Sequence, residues 1–462
     1  MLHFTSRLSF VLVLALVSQL PARAQQQRLT MEDAFLNRSL QPQNLRQLTW
    51  IPGSASYSYV RPNAFKGQDE LVIGNAQSEK PTATVPLAFL NSALKAAGNN
   101  LEASSFPTVQ WTKPNEFVLL SDHQAWRVEF ASKSFQGEMG SGTSTSGPVP
   151  VRLFGYDSAA ENVELDPTKT RVAYTKAQNL YISLPGRENE AVTQESNPGI
   201  VNGQAAHRSE FGITKGTFWS PQGQKLAFYR MDQTMVTDYP IVTVLPAPAQ
   251  AVPIKYPMAG DKSHEVTVGV YDLNTRKTVF LQTGEPREQY LTNLSWSPDE
   301  KFIYVAVLNR AQNHMWLRQY DAASGALVKT LFEEQDDKTF VEPLHPVQFV
   351  PGHAGQFLWQ TQRDGYNHLY LYSTSGKLLR QLTKGPWQVT DVLGFADNNR
   401  EIVFQSTAAS PLQRRIYSVK LSGGKVRELT PEAGTHTATL SPTATSCLTT
   451  SARPPHPALS GP

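Results

Sequence analysis

The sequence predicts an all-β chain, an eight-bladed β-propeller with the last blade incomplete. Three observations predict it. The first is a hairpin string, Phe218-Trp219-Ser220-Pro221-Gln222-Gly223-Gln224-Lys225-Leu226-Ala227-Phe228-Tyr229, which returns as Leu294-Ser295-Trp296-Ser297-Pro298-Asp299-Glu300-Lys301-Phe302-Ile303-Tyr304. Proline presets the φ of the turn, glycine takes a positive φ, and the flanking aromatic and aliphatic residues suit a pleated, half-buried surface. The second is the period. Weaker copies end on Pro52, Pro114, Pro167, Pro351, Asp397 and Pro442, so with Pro221 and Pro298 the successive steps are 62, 53, 54, 77, 53, 46 and 45 residues. Four-stranded blades repeat at roughly 40 to 50 residues, so one blade and a loop fill most steps. The third is the near absence of helical periodicity, apart from a short stretch near Pro86 to Lys95. An all-β sandwich is the alternative, but a sandwich does not require an equal period.

The chain divides in order. Residues 1–24 read as a cleavable secretory signal: Arg7 precedes an apolar run from Leu8 to Val17, and Ala22-Arg23-Ala24 has the small-x-small form of a cleavage site. An uncleaved anchor is the alternative, although the run is short for a bilayer. The expected location is therefore secreted or periplasmic, with no membrane span after cleavage. Residues 25–45 form a lead segment in which Thr30 could cap a short helix. Residues 46–442 hold the propeller. Within it, residues 137–148 are Gly/Ser/Thr-rich and read as a flexible loop.

The 77-residue step needs an insertion, and residues 239–258 supply it. Pro240, Pro246, Pro248, Pro253 and Pro257 oppose central strands there. Ile241, Val242, Val244, Leu245 and Val252 make this arm either a partner-binding element or a loop folded back on its blade. After Pro442 the pattern fails, because residues 443–462 carry no aromatic residue and several prolines. That tail is expected to be disordered, or to be frameshifted text following a truncation, with a genuine linker as the alternative.

Composition excludes several functions. The 462 residues hold 42 basic and 39 acidic side chains, a formal charge of +3, which is no footprint for nucleic acid. Cys447 is the only cysteine, so no intrachain disulfide forms. No histidine pair has metal-ligand spacing, and no metal or cofactor is expected. His345, His353 and His368 read as ordinary loop or rim residues.

Longer strings carry a resemblance. Residues 207–240, with Glu210-Phe211-Gly212-Ile213-Thr214-Lys215-Gly216-Thr217-Phe218-Trp219-Ser220-Pro221 and Ala227-Phe228-Tyr229-Arg230-Met231-Asp232, resemble the propeller of the dipeptidyl peptidase IV family of serine exopeptidases. Tyr256-Pro257-Met258-Ala259-Gly260, Tyr290-Leu291-Thr292-Asn293, Asn309-Arg310-Ala311-Gln312-Asn313 and Val341-Glu342-Pro343-Leu344-His345-Pro346 look closer to the bacterial prolyl tripeptidyl peptidase branch. The resemblance implies an eight-bladed propeller over an α/β-hydrolase domain, and substrates that are peptides with proline near the N-terminus. It also implies a homodimer through the 239–258 arm and the hydrolase domain.

Dipeptidyl peptidases hold the substrate amine with two adjacent glutamates just before Phe-Gly. Here the string is His207-Arg208-Ser209-Glu210, so the pair is missing. In the tripeptidyl branch one glutamate stands before Phe-Gly and the hydrolase domain supplies its partner. The resemblance therefore assigns Glu210 to the amine, against the plainer role of an ion pair with Arg208 or Lys215. Members of the family that the chain resembles also carry an arginine in blade two for the substrate carbonyl. Trp126-Arg127 lies in that region, but its flanks do not match and the role is not carried over.

Catalysis in that family needs a serine on a Gly-Xaa-Ser-Xaa-Gly elbow with an acid and a histidine. The chain has no such pentapeptide. It is expected to be inactive by itself, as the substrate-gating propeller of a secreted serine exopeptidase cut off before its hydrolase domain. The alternative is a stand-alone periplasmic propeller that binds protein or peptide.

Overall fold

The computed structural model describes residues 30–32, 45–62, 68–78, 80–130, 147–245, 247–441 and 447–452. Residues 1–44 and 45–462 are separate compact units. In the first, Met31 and Glu32 are helical. The expected signal segment lies outside the described residues, as does the 137–148 loop except for its last two positions.

The second unit is all-β apart from short helical pieces, and it has seven blades. Five are plain antiparallel meanders of four strands: residues 46–86, 161–191, 289–335, 348–381 and 389–428. A sixth meander runs from Gln110–Lys113 to Val149–Gly155. Blade four has five strands: Ile200–Asn202 and Thr217–Trp219 both pair with Lys225–Asp232, which pairs with Glu265–Asp272, and that strand pairs with Lys277–Phe280. The short helix expected near Pro86 is Leu87–Ala96. Its Leu87, Leu90 and Leu94, three and four residues apart, are buried against the first two blades.

The expectation of eight blades is corrected. Seven of the eight hairpin strings each open a blade. The eighth, ending on Pro442, falls in sequence just after Thr435–Leu440, whose one strand partner among the described residues is Cys447–Ala452. The physical reason is that the string marks one strand pair and its turn, whereas a blade needs four strands so that its middle strands are paired on both sides. The two-stranded ribbon is instead held by its neighbours. His436 N donates to the Arg414 carbonyl (2.7 Å) and Gln405 Nε2 to the His436 carbonyl (2.7 Å) in blade seven. On the other side Trp50 Nε1 of blade one donates to the Thr439 carbonyl (3.0 Å). Of the 443–462 tail, expected to be disordered or frameshifted, only 447–452 are described, as the strand of this ribbon.

Burial follows position within the blade. The first and second strands of blade five, Gln289–Trp296 and Phe302–Asn309, are buried almost throughout, and last strands such as Leu378–Gln381 are mostly exposed. Among the described residues the core separates into six apolar layers, one between each consecutive pair of blades. Middle strands therefore face a neighbouring blade on both sides and read as continuous apolar runs rather than alternating ones.

The turns interlock from blade to blade. Asp166 accepts from the backbone N–H groups of Thr170 (2.8 Å) and Arg171 (2.9 Å) and from the Arg171 guanidinium (3.0 Å). Gly223 of the next blade packs so tightly on this knot that a Cβ there would lie 2.3 Å from Asp166 Oδ2. Glu300 of blade five in turn accepts from the Gln222 N–H.

The arm is a free-standing ribbon, Asp238–Thr243 paired in register with Gln250–Lys255. Pro240 and Pro253 sit opposite each other, tolerated because both strands are edges. It is not folded back on its blade: all of Asp238–Thr243 is exposed, and Val244 and Leu245 are 74% and 77% exposed.

Candidate functional site

The segment carrying Glu210 is a loop that begins and ends on one residue. Gly203 N donates to the Tyr229 carbonyl (2.8 Å), and Tyr229 N donates to the Gly216 carbonyl (3.0 Å). Between these anchors His207–Ser209 make a single 3₁₀ turn, with Ser209 N bonded to Ala206 O and Glu210 N to His207 O, both at 3.1 Å. His207, Ser209, Phe211 and Gly212 all have positive φ, of 53°, 62°, 55° and 73°. For the three non-glycine residues this conformation costs of order 1 kcal/mol each, so the surroundings must hold it in place.

They do so with residues far apart in the chain. Phe211 packs on Tyr290, with ring centroids 5.0 Å apart, and the Arg310 guanidinium lies 5.7 Å from the Tyr290 ring centroid while donating a hydrogen bond to the Tyr290 hydroxyl. Gln312 Nε2 reaches the same hydroxyl at 3.4 Å. Behind the loop runs a strap, residues 341–346. Val341 N donates to the Gln312 carbonyl (2.8 Å) and Asn293 Nδ2 to the Pro343 carbonyl (2.5 Å). Gly212 touches the strap directly, since a Cβ on it would lie 2.2 Å from the Leu344 oxygen. Four strings scattered over some 140 residues of sequence, at 210–216, 290–293, 309–313 and 341–346, thus form one cluster.

Glu210 is presented to solvent on this loop. Lys215, one of the two cations that could have neutralised it, is committed to Glu164, which also accepts from Thr217 Oγ1 at 2.6 Å. Arg127, the blade-two arginine, stands 3.9 Å from Glu116 in an ion pair.

A cavity of 630 Å³ opens two residues beyond Glu210, at Gly212. Its walls come from blades three, four and five and from Pro346 and Val347 at the end of the strap, and include Glu164, Lys169, Lys215, Phe218, Trp219 and Trp296. The first strands of these blades approach one another here, as shown by the Glu164–Thr217 bond and by Trp296 Nε1 donating to the Phe218 carbonyl (2.9 Å). Partial burial lowers the Lys169 pKa from its usual value, against the opposing pull of Asp166 and Glu164. The cavity therefore combines aromatic walls with a lysine that forms no ion pair among the described residues.

Sequence reasoning did not single out Glu164, Lys169 or His207 as site residues. Trp219 and Trp296 were visible only as hairpin markers, and nothing in their local strings tells a cavity wall from a core residue. Among the described residues no group of three His, Cys, Asp or Glu is placed to hold a metal ion. His368 is a structural residue, bonded to Thr383 and to the Gly385 carbonyl at 3.0 Å each. No helix among the described residues is long and apolar enough to cross a membrane.

Comparison with known proteins places this arrangement. A profile of the dipeptidyl peptidase IV (DPP IV) N-terminal region matches residues 113–458. The chain is 26% identical over 430 residues to dipeptidyl-aminopeptidase B of Aspergillus niger, covering 82% of this chain and 46% of that protein. A crystal structure assigned as a dipeptidyl aminopeptidase IV from Bacteroides ovatus superposes with a TM-score of 0.73 at 33% identity, covering 88% of this chain and 56% of the other. The dipeptidyl peptidase 4 of Porphyromonas gingivalis shares the fold, with a TM-score of 0.65 at 20% identity over 87% of this chain and 56% of that one. The chain spans about half the length of the curated relatives it matches.

Proposed function

Since the chain belongs to the family of the dipeptidyl peptidase IV N-terminal region, we propose that it is the substrate-gating propeller of a secreted or periplasmic serine exopeptidase that releases proline-containing di- or tripeptides from peptide N-termini. The chemistry would belong to an α/β-hydrolase domain acting with it. The propeller's part is to restrict access and to hold the peptide's free amine on Glu210.

One observation carries this reading: a loop held in costly conformations by a buried cluster presents Glu210 to solvent, and two residues further on its Gly212 lines a cavity. An ammonium that reaches Glu210 gains a charge-assisted hydrogen bond, stronger than a neutral one and stronger again where the surroundings exclude water. An acetylated N-terminus has no charge to offer.

The test is an NMR titration of this chain with the tripeptide Ala-Ala-Pro and with its N-acetyl form. The free amine is expected to bind about tenfold more tightly, as suits one charge-assisted contact, and E210Q should remove the difference. Equal binding of the two peptides by the wild-type chain would refute the assignment.

The arm's part in this reading is a homodimer contact. Its exposed Ile241, Val242 and Val252 lie on a ribbon whose outer edges are unpaired among the described residues. I241D/V242D is expected to move the sedimentation-equilibrium mass from two chains toward one and leave the melting temperature unchanged, because neither side chain packs in the core. A mass insensitive to the substitution would remove the arm from the interface.

A further inference from the structure

Glu210 makes its case by position, and what fixes that position is three residues upstream. His207 is 4% exposed. Its Nε2 accepts the Leu291 N–H at 3.1 Å, and its Nδ1 lies 3.1 Å from His264 Nε2. Leu291 is held from its other side by Tyr229, whose hydroxyl donates to the Leu291 carbonyl (2.8 Å). The residue that anchors both ends of the loop thus also anchors the residue that His207 grips.

This geometry dictates the protonation. An Nε2 that accepts a backbone N–H carries no proton, so the neutral His207 ring carries it on Nδ1 and donates to His264 Nε2. That nitrogen must be bare as well. A proton added to His207 Nε2 would face the Leu291 N–H, and one added to His264 Nε2 would face His207 Nδ1–H. Only the neutral pair satisfies the contacts.

The surroundings favour the same state. Burial, then His264, then the Arg310 cation push the His207 pKa well below the ordinary 6.5. Tyr229 and Tyr290 cover the ring at centroid distances of 6.4 and 5.1 Å, and neither brings an anion. Near His264 in the fold, Glu288 accepts from the Ser263 N–H (3.1 Å), and Glu265, the next residue in the chain, faces Arg287 (3.6 Å).

We propose that His207 is the positioning residue of the Glu210 loop, and that the neutral His207–His264 pair is a proton-sensitive latch tying the loop to Leu291. The proposal rests on the reading of Glu210 as the amine contact only for its functional meaning; the latch itself is a property of the propeller. The sign of the pH effect follows from linkage. A histidine whose folded pKa lies below its unfolded value stabilises fully above the unfolded value of 6.5, and that stabilisation is lost as pH falls from there toward the lowered folded value.

The test is hydrogen exchange by mass spectrometry on this chain, following peptides that cover 204–215 and 286–294, with rates corrected for the intrinsic pH dependence. H207Q can still accept from Leu291 and donate to His264 but cannot titrate; H207F keeps the ring bulk and loses both bonds. At neutral pH, H207F should expose the loop to exchange about tenfold faster than wild type, and H207Q should match wild type, since a buried N–H is orphaned only in the former. Between pH 7.5 and about 5, across the histidine range, wild type should lose protection about tenfold and H207Q should not. Wild-type protection unchanged across that range, or an identical response from H207Q, would overturn the latch.

Should H207F not fold, the imidazole nitrogen-15 shifts of wild type decide the matter. The Nδ1–H tautomer is expected for His207, and an Nε2–H tautomer would overturn the proposal. E210Q should leave exchange unchanged. Loss of amine selectivity without any change in exchange, or the reverse, therefore shows which of the two readings has failed.

Discussion

Asp166→Ala is expected to destabilise the propeller by about 3 kcal/mol or more, the size found when one partner of a buried ion pair is removed. The Asp166 carboxylate is fully buried, and its two oxygens take the Arg171 guanidinium, the backbone N–H groups of Thr168, Thr170 and Arg171, and the Thr168 hydroxyl. Alanine leaves a largely buried guanidinium and several N–H groups facing a void, and each orphaned group costs its desolvation. The damage would also spread, because Gly223 of the next blade sits against Asp166 Oδ2. A urea titration should show a lowered midpoint with little change in slope, and Asp166→Asn should cost clearly less because one acceptor oxygen remains. A midpoint within error of wild type for the alanine variant would show that the turn knot does not hold the blades together.

Gly212→Val is expected to have the second-largest effect, about 2–4 kcal/mol, with the consequences falling on the site. Two costs combine. Gly212 has φ of +73°, in the left-handed region that β-branched residues tolerate worst. Its Cβ would also meet the Leu344 carbonyl oxygen at 2.2 Å, which is backbone and cannot rotate away. Either the strap at 341–346 or the loop bearing Glu210 must move, and the Asn293–Pro343 bond is at stake in both cases. Calorimetry should show the loss of stability, and the Ala-Ala-Pro titration should show loss of free-amine preference even where the variant stays folded. A variant that keeps both would mean that the strap does not support the loop.

How much of this was legible in the sequence depended on whether the cause was local. The turn strings Trp219-Ser220-Pro221 and Trp296-Ser297-Pro298 act through nearest-neighbour conformation, so they located strand pairs correctly at each blade. The helix over Leu87–Ala96 was visible because its apolar spacing is a local period. The arm was visible because proline excludes central strands, although its being a regular ribbon was not, since pairing Pro240 with Pro253 depends on both strands being edges. The number of blades was misjudged because a hairpin string says nothing of the third and fourth strands.

The site divides in the same way. Glu210 was found through a string that resembles a family, whereas the contacts that hold its loop join residues 57 to 132 positions apart, such as His207 with His264 and Gly212 with Leu344. No window of sequence contains such a pair. Lys215 illustrates the point: its neighbour in sequence is Glu210, yet its partner is Glu164, across the boundary between two blades.

What the amino-acid sequence determined by itself is the repeating β-hairpin, the near absence of helices, the interruption by an arm and the single glutamate before Phe211-Gly212, because turn residues and strand periodicity act within a few positions of the chain. The tertiary structure alone decided that seven blades form, that a two-stranded ribbon lies between the last and the first, and that a buried histidine pair grips the loop. Those outcomes depend on which surfaces meet when the blades pack side by side, and burial and hydrogen bonding between distant residues leave no local mark in the chain that makes them.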